Sequence, residues 1–294
     1  MRNPLLWAAL CLPLAVMADL PQANPVPGGI AIIAVGADSA PAPLVQFQKQ
    51  RVLVVRTNSQ WHAVVGLPLS LLAGEQHLDI SDRGTTRLLA FQVQPKEYEA
   101  QYLTLANKRQ VNPTPDDLKR ISHEQSLSNR AFATWNEVPI DDLRFDLPSA
   151  GRFSSAFGLR RFFNNQARQP HSGLDIAAPE GTPVLAPAAG MVIETGDYFF
   201  NGNTIFLDHG QGLVSMYNHL SRISVKKGMR VARGQRIGAI GKTGRVTGAH
   251  LHWTMSLNNA RVDPMLFLSP ADRAGTPPST PTAPSTSGTN PNGG

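Results

Sequence analysis

Over most of the chain, apolar positions fall in short runs and do not recur at helical spacing. Between residues 30 and 105 such runs occupy 30–35, 51–56, 61–67, 78–80, 87–94 and 102–105. Turn formers separate them, among them Gly28-Gly29, Thr57-Asn58-Ser59 and Asp82-Arg83-Gly84. Short β-rich runs with this rhythm predict a small antiparallel sandwich of immunoglobulin-like type. The pattern changes at Thr114, where a capping residue is followed by Pro115 and by Asp116 and Asp117. That is the start signal of a helix, expected to run to about residue 133. Residues 24–137 therefore read as an N-terminal β-rich accessory domain with a helix, and 138–150 as a linker. A second β-rich block occupies 151–268. Residues 271–294 are Pro, Ser, Thr, Gly and Asn with almost nothing apolar, the composition of a disordered tail.

The first eighteen residues form a different kind of segment. Arg2 precedes the apolar stretch from Leu5 to Leu14, and Val16-Met17-Ala18 offers a cleavage site. This reads as an export signal, too short to span a bilayer, which takes roughly 20 residues. The sole cysteine, Cys11, lies inside it, so the mature chain has neither a disulfide nor a thiol nucleophile. The 294 residues include Gly 25 and Pro 24, and the formal charge is +6. A basic surface attracts nucleic acid, anionic lipid or an anionic wall polymer, and charge alone does not choose among them.

The histidines narrow the choice. Three clusters stand in the second block: His171-Ser-Gly-Leu-Asp175, Tyr217-Asn-His219-Leu220 and His250-Leu-His252-Trp253. If residues 171–176 and 249–255 are strands, side chains two or four apart share a face. His171 would then project with Asp175, and His250 with His252. Paired across a sheet, they would deliver two imidazoles and a carboxylate to one point, the donor set of a catalytic zinc site. Such an ion acidifies water and polarises carbonyls, so amide hydrolysis is the natural chemistry.

The segments HSGLDIAAPEGTPVLAPAAG, LDHGQGLVSMYNHLS and GQRIGAIGKTGRVTGAHLHW together resemble the lysostaphin-type, LytM-like zinc endopeptidases of peptidoglycan, over residues 153 to about 268. The resemblance implies a mostly β chain whose C-terminal half is the antiparallel, duplicated-hybrid-motif structure of those enzymes. It implies one zinc ion per chain on His171, Asp175 and His252, with His219 and His250 as the catalytic pair. The substrate it implies is a peptide cross-link of peptidoglycan, met in the periplasm or cell envelope or after secretion, with neither nucleic acid nor stable membrane insertion involved. PGGIAIIAVG and QPKEYEAQYLTL resemble an accessory region found ahead of such peptidases. In some family members an upstream segment donates a fourth zinc ligand and keeps the enzyme latent. Trp135-Asn136-Glu137 offers an oxygen for that role here; the alternative is an independent docking module on a flexible linker.

Two other readings compete. A metal-free relative would bind peptidoglycan or activate an amidase, but every motif residue is present. A lipoyl-like carrier is suggested by the hairpin rhythm of residues 225–238, which offers no modification lysine at a matching tip. Other signals are discounted. His123-Glu124 lacks the second histidine of HExxH, and Gly241-Lys242-Thr243 lacks the first glycine of a phosphate loop. His209 reads as a hairpin-turn residue, and His62 and His77 as accessory-strand residues. The basic stretch 226–236 reads equally as a glycan-facing edge or a solvated one. The aromatics of Tyr198-Phe199-Phe200 and Arg160-Arg161-Phe162-Phe163 read either as groove walls or as core.

Overall fold

The computed structural model describes residues 20–37, 41–82, 84–140 and 142–274. The export signal assigned to 1–18, and the tail beyond 274, lie outside the described residues. Strands Ile30–Ala37, Gln60–Gly66 and Leu53–Thr57 form one antiparallel sheet in that spatial order. Strands Gln50–Arg51, Leu44–Phe47, Gly74–Asp82 and Thr85–Val93 form a second. Val35, Phe47, Val65, Leu78 and Ile80 fill the space between them, giving the expected sandwich.

The first of these sheets is buried on its other face too. Ile30, Leu53, Val55 and Val64 share a core with Leu257, Val262 and Leu266 of the C-terminal half. A sheet covered on both sides needs apolar residues at successive positions, which is why IAIIAV and VLVV do not alternate. The accessory sandwich is thus fused to its neighbour and does not hang from a linker. A side-chain clamp marks the joint. Asn258 accepts a hydrogen bond from Gly66 N–H at 2.6 Å and donates to Gly66 C=O at 3.0 Å.

The C-terminal half is built on one large antiparallel sheet. Its central strands are ordered Gly190–Tyr198, Gly202–Gly210, Leu213–Ile223, His250–Leu257, Leu174–Ala177 and Arg152–Ser155. Leu174, Ile176, Tyr217, Leu251 and Trp253 point from one face into the core. At the other face, helix Pro115–Phe132 lays Ala131 and Phe132 on Tyr198, Phe206, Val214 and Met216. The helix starts as expected, with Thr114 and Asp117 forming a reciprocal capping box. Its apolar side faces the C-terminal sheet, however, so it extends that domain and not the accessory sandwich.

Two further boundaries differ from the sequence reading. Within 138–150, Leu143, Phe145 and Leu147 are buried in the main core, and Phe145 N–H bonds Phe267 C=O at 3.0 Å. Alternate apolar residues were enough to tie this stretch down as an extended strap. At the other end, residues Pro270–Arg273 form a helical turn capped by Ser269, so the compact structure continues into the stretch assigned to the tail. Upstream, the strand expected at 102–105 is Ala100–Leu103, and it pairs in parallel with Arg160–Phe163 of the C-terminal half.

Candidate active site

Cross-strand register brings the predicted residues together. Strands Leu174–Ala177 and His250–Leu257 pair with Asp175 opposite His252, and His252 is opposite Asn218 on its other side. Directly opposed residues have Cβ atoms roughly 5 Å apart on one face, so Asp175, His252 and Asn218 form a row across three strands. His171 is not in a strand, contrary to expectation. It precedes Leu174–Ala177 in a loop, pinned where its N–H bonds Leu159 C=O at 2.9 Å.

Hydrogen bonds fix the tautomer of His171 and allow the matching one of His252. His171 Nδ1 lies 2.6 Å from Ala156 C=O; a carbonyl only accepts, so Nδ1 carries the proton and Nε2 of the neutral ring is bare. His252 Nε2 lies 3.0 Å from Thr254 Oγ1, a hydroxyl that donates or accepts, and in the tautomer that donates to it Nδ1 is bare. The two bare nitrogens are 2.9 Å apart, and both face Asp175 Oδ1, at 3.0 Å from His171 and 2.8 Å from His252. Burial opposes ionisation of Asp175, but a hydrogen bond from His171 or His252, made whenever the facing ring nitrogen is protonated, outweighs it and holds the carboxyl well below the usual range. Burial also pushes His252 down to about 4. Three electron-pair donors converging in a buried pocket repel one another unless a cation lies among them, and outer N–H groups held by protein acceptors are the usual arrangement around a metal. The His171, Asp175 and His252 donors fit a divalent ion.

His219 reaches the same face by a backbone irregularity. Strand alternation would send it into the core beside Tyr217. Instead its φ is 64°, and the register slips between the pairs of Asn203 and Ile205. A bulge with a left-handed residue re-aims one side chain, and such strain concentrates at functional sites. The His219 ring lies 4.8 Å from that of His250 and 6.0 Å from that of His252. Its Nδ1 donates to Thr243 C=O at 2.9 Å, as that of His250 does to Gly248 C=O at 2.9 Å. Each therefore keeps Nε2 for other work. Burial, then the neighbouring His250 and His252, holds His219 well below the ordinary imidazole range, so it is neutral at pH 7.

Sequence reasoning missed the residues that hold the site in place. Arg161 Nη2 donates to Asp175 Oδ2 at 2.7 Å while its Nε donates to Gln101 Oε1 at 3.2 Å. The outer carboxylate oxygen is thereby occupied and Oδ1 is left for the cluster. The motif HxxxD gives no hint of this partner, since Arg161 lies outside it. The groove over the cluster is walled partly by upstream residues: Gln101, Leu103 and Leu105 on one side, Gln125, Ser128 and Phe132 on the other. Of the suggested aromatic walls, Phe163 and Phe200 line it, Tyr198 is core and Phe162 stacks on Tyr102 outside. His209 is not in a turn. It is buried at the end of its strand, bonded to Ala189 C=O and Ser215 Oγ, each at 2.7 Å. Asn136 donates to Asp208, and Glu137 pairs with Arg51, so neither of the oxygens proposed for latency reaches the cluster. In the basic stretch 226–236, Arg233 pairs with Asp142 and Asp146 and so braces the strap.

A buried His–Asp–His cluster with two more histidines at its rim, on an antiparallel sheet, is the architecture of a metallopeptidase. Residues 169–264 match peptidase family M23, and residues 23–96 match the peptidase family M23 N-terminal domain. The crystal structure of a peptidase M23 from Pseudomonas aeruginosa is 43% identical, with a TM-score of 0.71 over 83% of this chain and 95% of that one. The chain belongs to peptidase family M23. Among curated relatives, the peptidoglycan DD-endopeptidase ShyA of Vibrio cholerae is 44% identical over 123 residues, 42% of this chain and 29% of that protein. The DD-carboxypeptidase/endopeptidase Mpg of Neisseria meningitidis is 40% identical over 119 residues, 40% of this chain and 27% of that protein. The chain spans under a third of the length of either.

Proposed function

We propose that this chain is a zinc-dependent endopeptidase that hydrolyses peptide cross-links of bacterial peptidoglycan, working outside the cytoplasm in the cell envelope. The observation that carries the reading is the convergence of bare His171 Nε2, His252 Nδ1 and Asp175 Oδ1, with the Nε2 atoms of His219 and His250 at the rim. The DD-endopeptidase names of its relatives support the substrate class, and no helix among the described residues is long and apolar enough to cross a membrane. His171, Asp175 and His252 would hold the zinc, which supplies Lewis acidity to a peptide carbonyl and lowers the pKa of water.

The chain's own residues do the rest. His219 and His250, anchored through Nδ1, present Nε2 to the space above the cluster, where a neutral ring takes the proton of the attacking water and a ring protonated at both nitrogens donates from Nε2 to the developing oxyanion. Arg161 keeps the carboxylate of Asp175 from rotating. Neutral His219 is ready to accept a proton at pH 7. The test is digestion of purified sacculi by the zinc-loaded full chain, with released fragments identified by mass spectrometry. New amino termini at cross-links, lost with a chelator and restored by zinc, are expected; intact sacculi and intact soluble cross-linked dimers would refute the reading.

A further inference from the structure

Resting on that reading, we propose that Arg245 is the specificity residue of the groove and binds a free carboxylate on the peptide beside the scissile bond. Its guanidinium lies between two aromatic faces, 4.5 Å from the ring centroid of Phe163 and 4.1 Å from that of Phe200. Aromatic clamping fixes the plane of the guanidinium while leaving its N–H edge free. The side chain lines both halves of the groove, sharing one with Asp175 and His250 and the other with His171 and His252. Among the described residues no carboxylate pairs with it.

The other charges there have the same sign. Arg161 and Arg261 also line the groove, and the acid among the lining residues, Asp175, is committed to the His cluster and Arg161. Burial, then repulsion from Arg161 and Arg168, pushes Arg245 down to about 10. It therefore stays charged at neutral pH in a groove short of an anion. A substrate carboxylate supplies the missing charge, and a guanidinium held in one plane suits two parallel N–H···O bonds to it.

The backbone around Arg245 is also specified. Its N–H bonds Phe200 C=O at 2.8 Å, and the preceding Gly244 C=O accepts from Gln110 Nε2 at 2.7 Å. Gly244 has φ 73°, and a Cβ there would meet Phe200 C=O at 2.5 Å. Thr243 C=O, two residues away, is the anchor of His219. The loop that holds the candidate base also holds the arginine, so a carboxylate bound by Arg245 is set in register with the reacting carbonyl.

Cross-linked stem peptides carry more than one free carboxylate, and amidating one at a time separates them. Steady-state turnover of soluble cross-linked dimers, unmodified and singly amidated, is compared for the zinc-loaded full chain and for Arg245→Gln. In the wild type, amidation at the recognised position should raise KM about 30- to 100-fold, as expected for loss of a charge-assisted bidentate pair. Arg245→Gln should raise KM by a similar factor on the unmodified dimer, with little further effect of amidation and kcat within about threefold. Arg245→Lys should keep part of the discrimination, with zinc content and melting unchanged. Equal wild-type rates on every amidated dimer, or equal losses for Arg245→Gln on amidated and unmodified substrate, would overturn the assignment. No cleavage of any dimer by the wild type would instead overturn the peptidase reading beneath it.

Discussion

Asn258 should hold the two halves of the molecule together, and its replacement should cost more than a surface hairpin residue usually does. Gly66 ends the strand Gln60–Gly66. It faces Ile30, but the neighbouring bond from Leu67 N–H to Gly29 C=O shows that Gly66's own peptide groups point away from that partner. On its other side the pairing stops at Leu53 with Val64. Both polar groups of Gly66 would be orphaned in a buried joint without the amide of Asn258, which supplies a donor and an acceptor as another strand would. Leaving a buried N–H and a buried C=O unpaired costs about 1–3 kcal/mol each. Asn258 also has φ 39°, where a residue with a Cβ but no local polar contact loses roughly 1 kcal/mol more.

Asn258→Ala should therefore destabilise the protein by about 4 kcal/mol, and Asn258→Gly, relieved of the backbone cost, by about 3 kcal/mol. For a chain of this size that corresponds to a fall of about 10 °C in Tm, measurable by calorimetry or circular dichroism. Asn258→Asp keeps the acceptor for Gly66 N–H but opposes a carboxylate oxygen to Gly66 C=O, so it should be no better than Gly at pH 7. A melting temperature within about 2 °C of wild type for the alanine variant would refute the idea that this clamp carries the joint.

Three further outcomes are expected. Elemental analysis and muropeptide turnover should find His219→Ala and His250→Ala retaining one zinc with kcat reduced about 10²- to 10⁴-fold, while His171→Ala, Asp175→Ala and His252→Ala should be metal-free. Arg161→Met should weaken zinc binding about 10- to 100-fold in chelator competition, because Asp175 loses the partner of its outer oxygen. His209, held by burial near pKa 4 against 6.5 for the free side chain, contributes stability that is complete above pH 6.5. That contribution is lost as pH falls toward 4, by about 3 kcal/mol in all; melts across that range should show His209→Gln losing about that much less stability than wild type.

Asp175 and His252 of the His–Asp–His cluster were legible because they obey simple periodicity, whereas His171 reaches them from a loop. Asp175 and His252 lie in strands, and His250 and His252 are two apart, so a period of two is enough to place them on one face. The position of His219 was not legible by that rule. Alternation assigns it to the core side, and the left-handed bulge that reverses it leaves no mark in Tyr-Asn-His-Leu beyond the family resemblance. Arg161 was invisible as a partner because its contact with Asp175 depends on where the strand Arg160–Phe163 packs, beside Ala100–Leu103. The fusion of the two halves has its own signal in the sequence. Residues 30–35 and 52–55 are apolar at successive positions, which marks a sheet covered on both faces, whereas a free sandwich would alternate. The buried strap at Leu143, Phe145 and Leu147 carried its own period of two inside a stretch that looked like a linker.

These contacts decide what the catalytic unit is. Cutting the chain within the strap would separate Leu143 from the core it shares with Phe145, Phe267 and Leu213. It would also remove helix Pro115–Phe132, which covers Phe206, Val214 and Met216. The large sheet and the loop before Leu174 supply His171, Asp175, His219, His250 and His252, but Gln101, which orients Arg161, and Gln110, which braces Gly244, come from the segment upstream. A fragment lacking that segment would lose groove walls and the supports of two groove arginines along with any covering. Its activity would then measure damage as well as release. The groove is therefore a joint product of the chain: the sheet and the loop before Leu174 carry the His–Asp–His cluster, Arg245 comes from a later loop, and residues 101–132 add part of the wall.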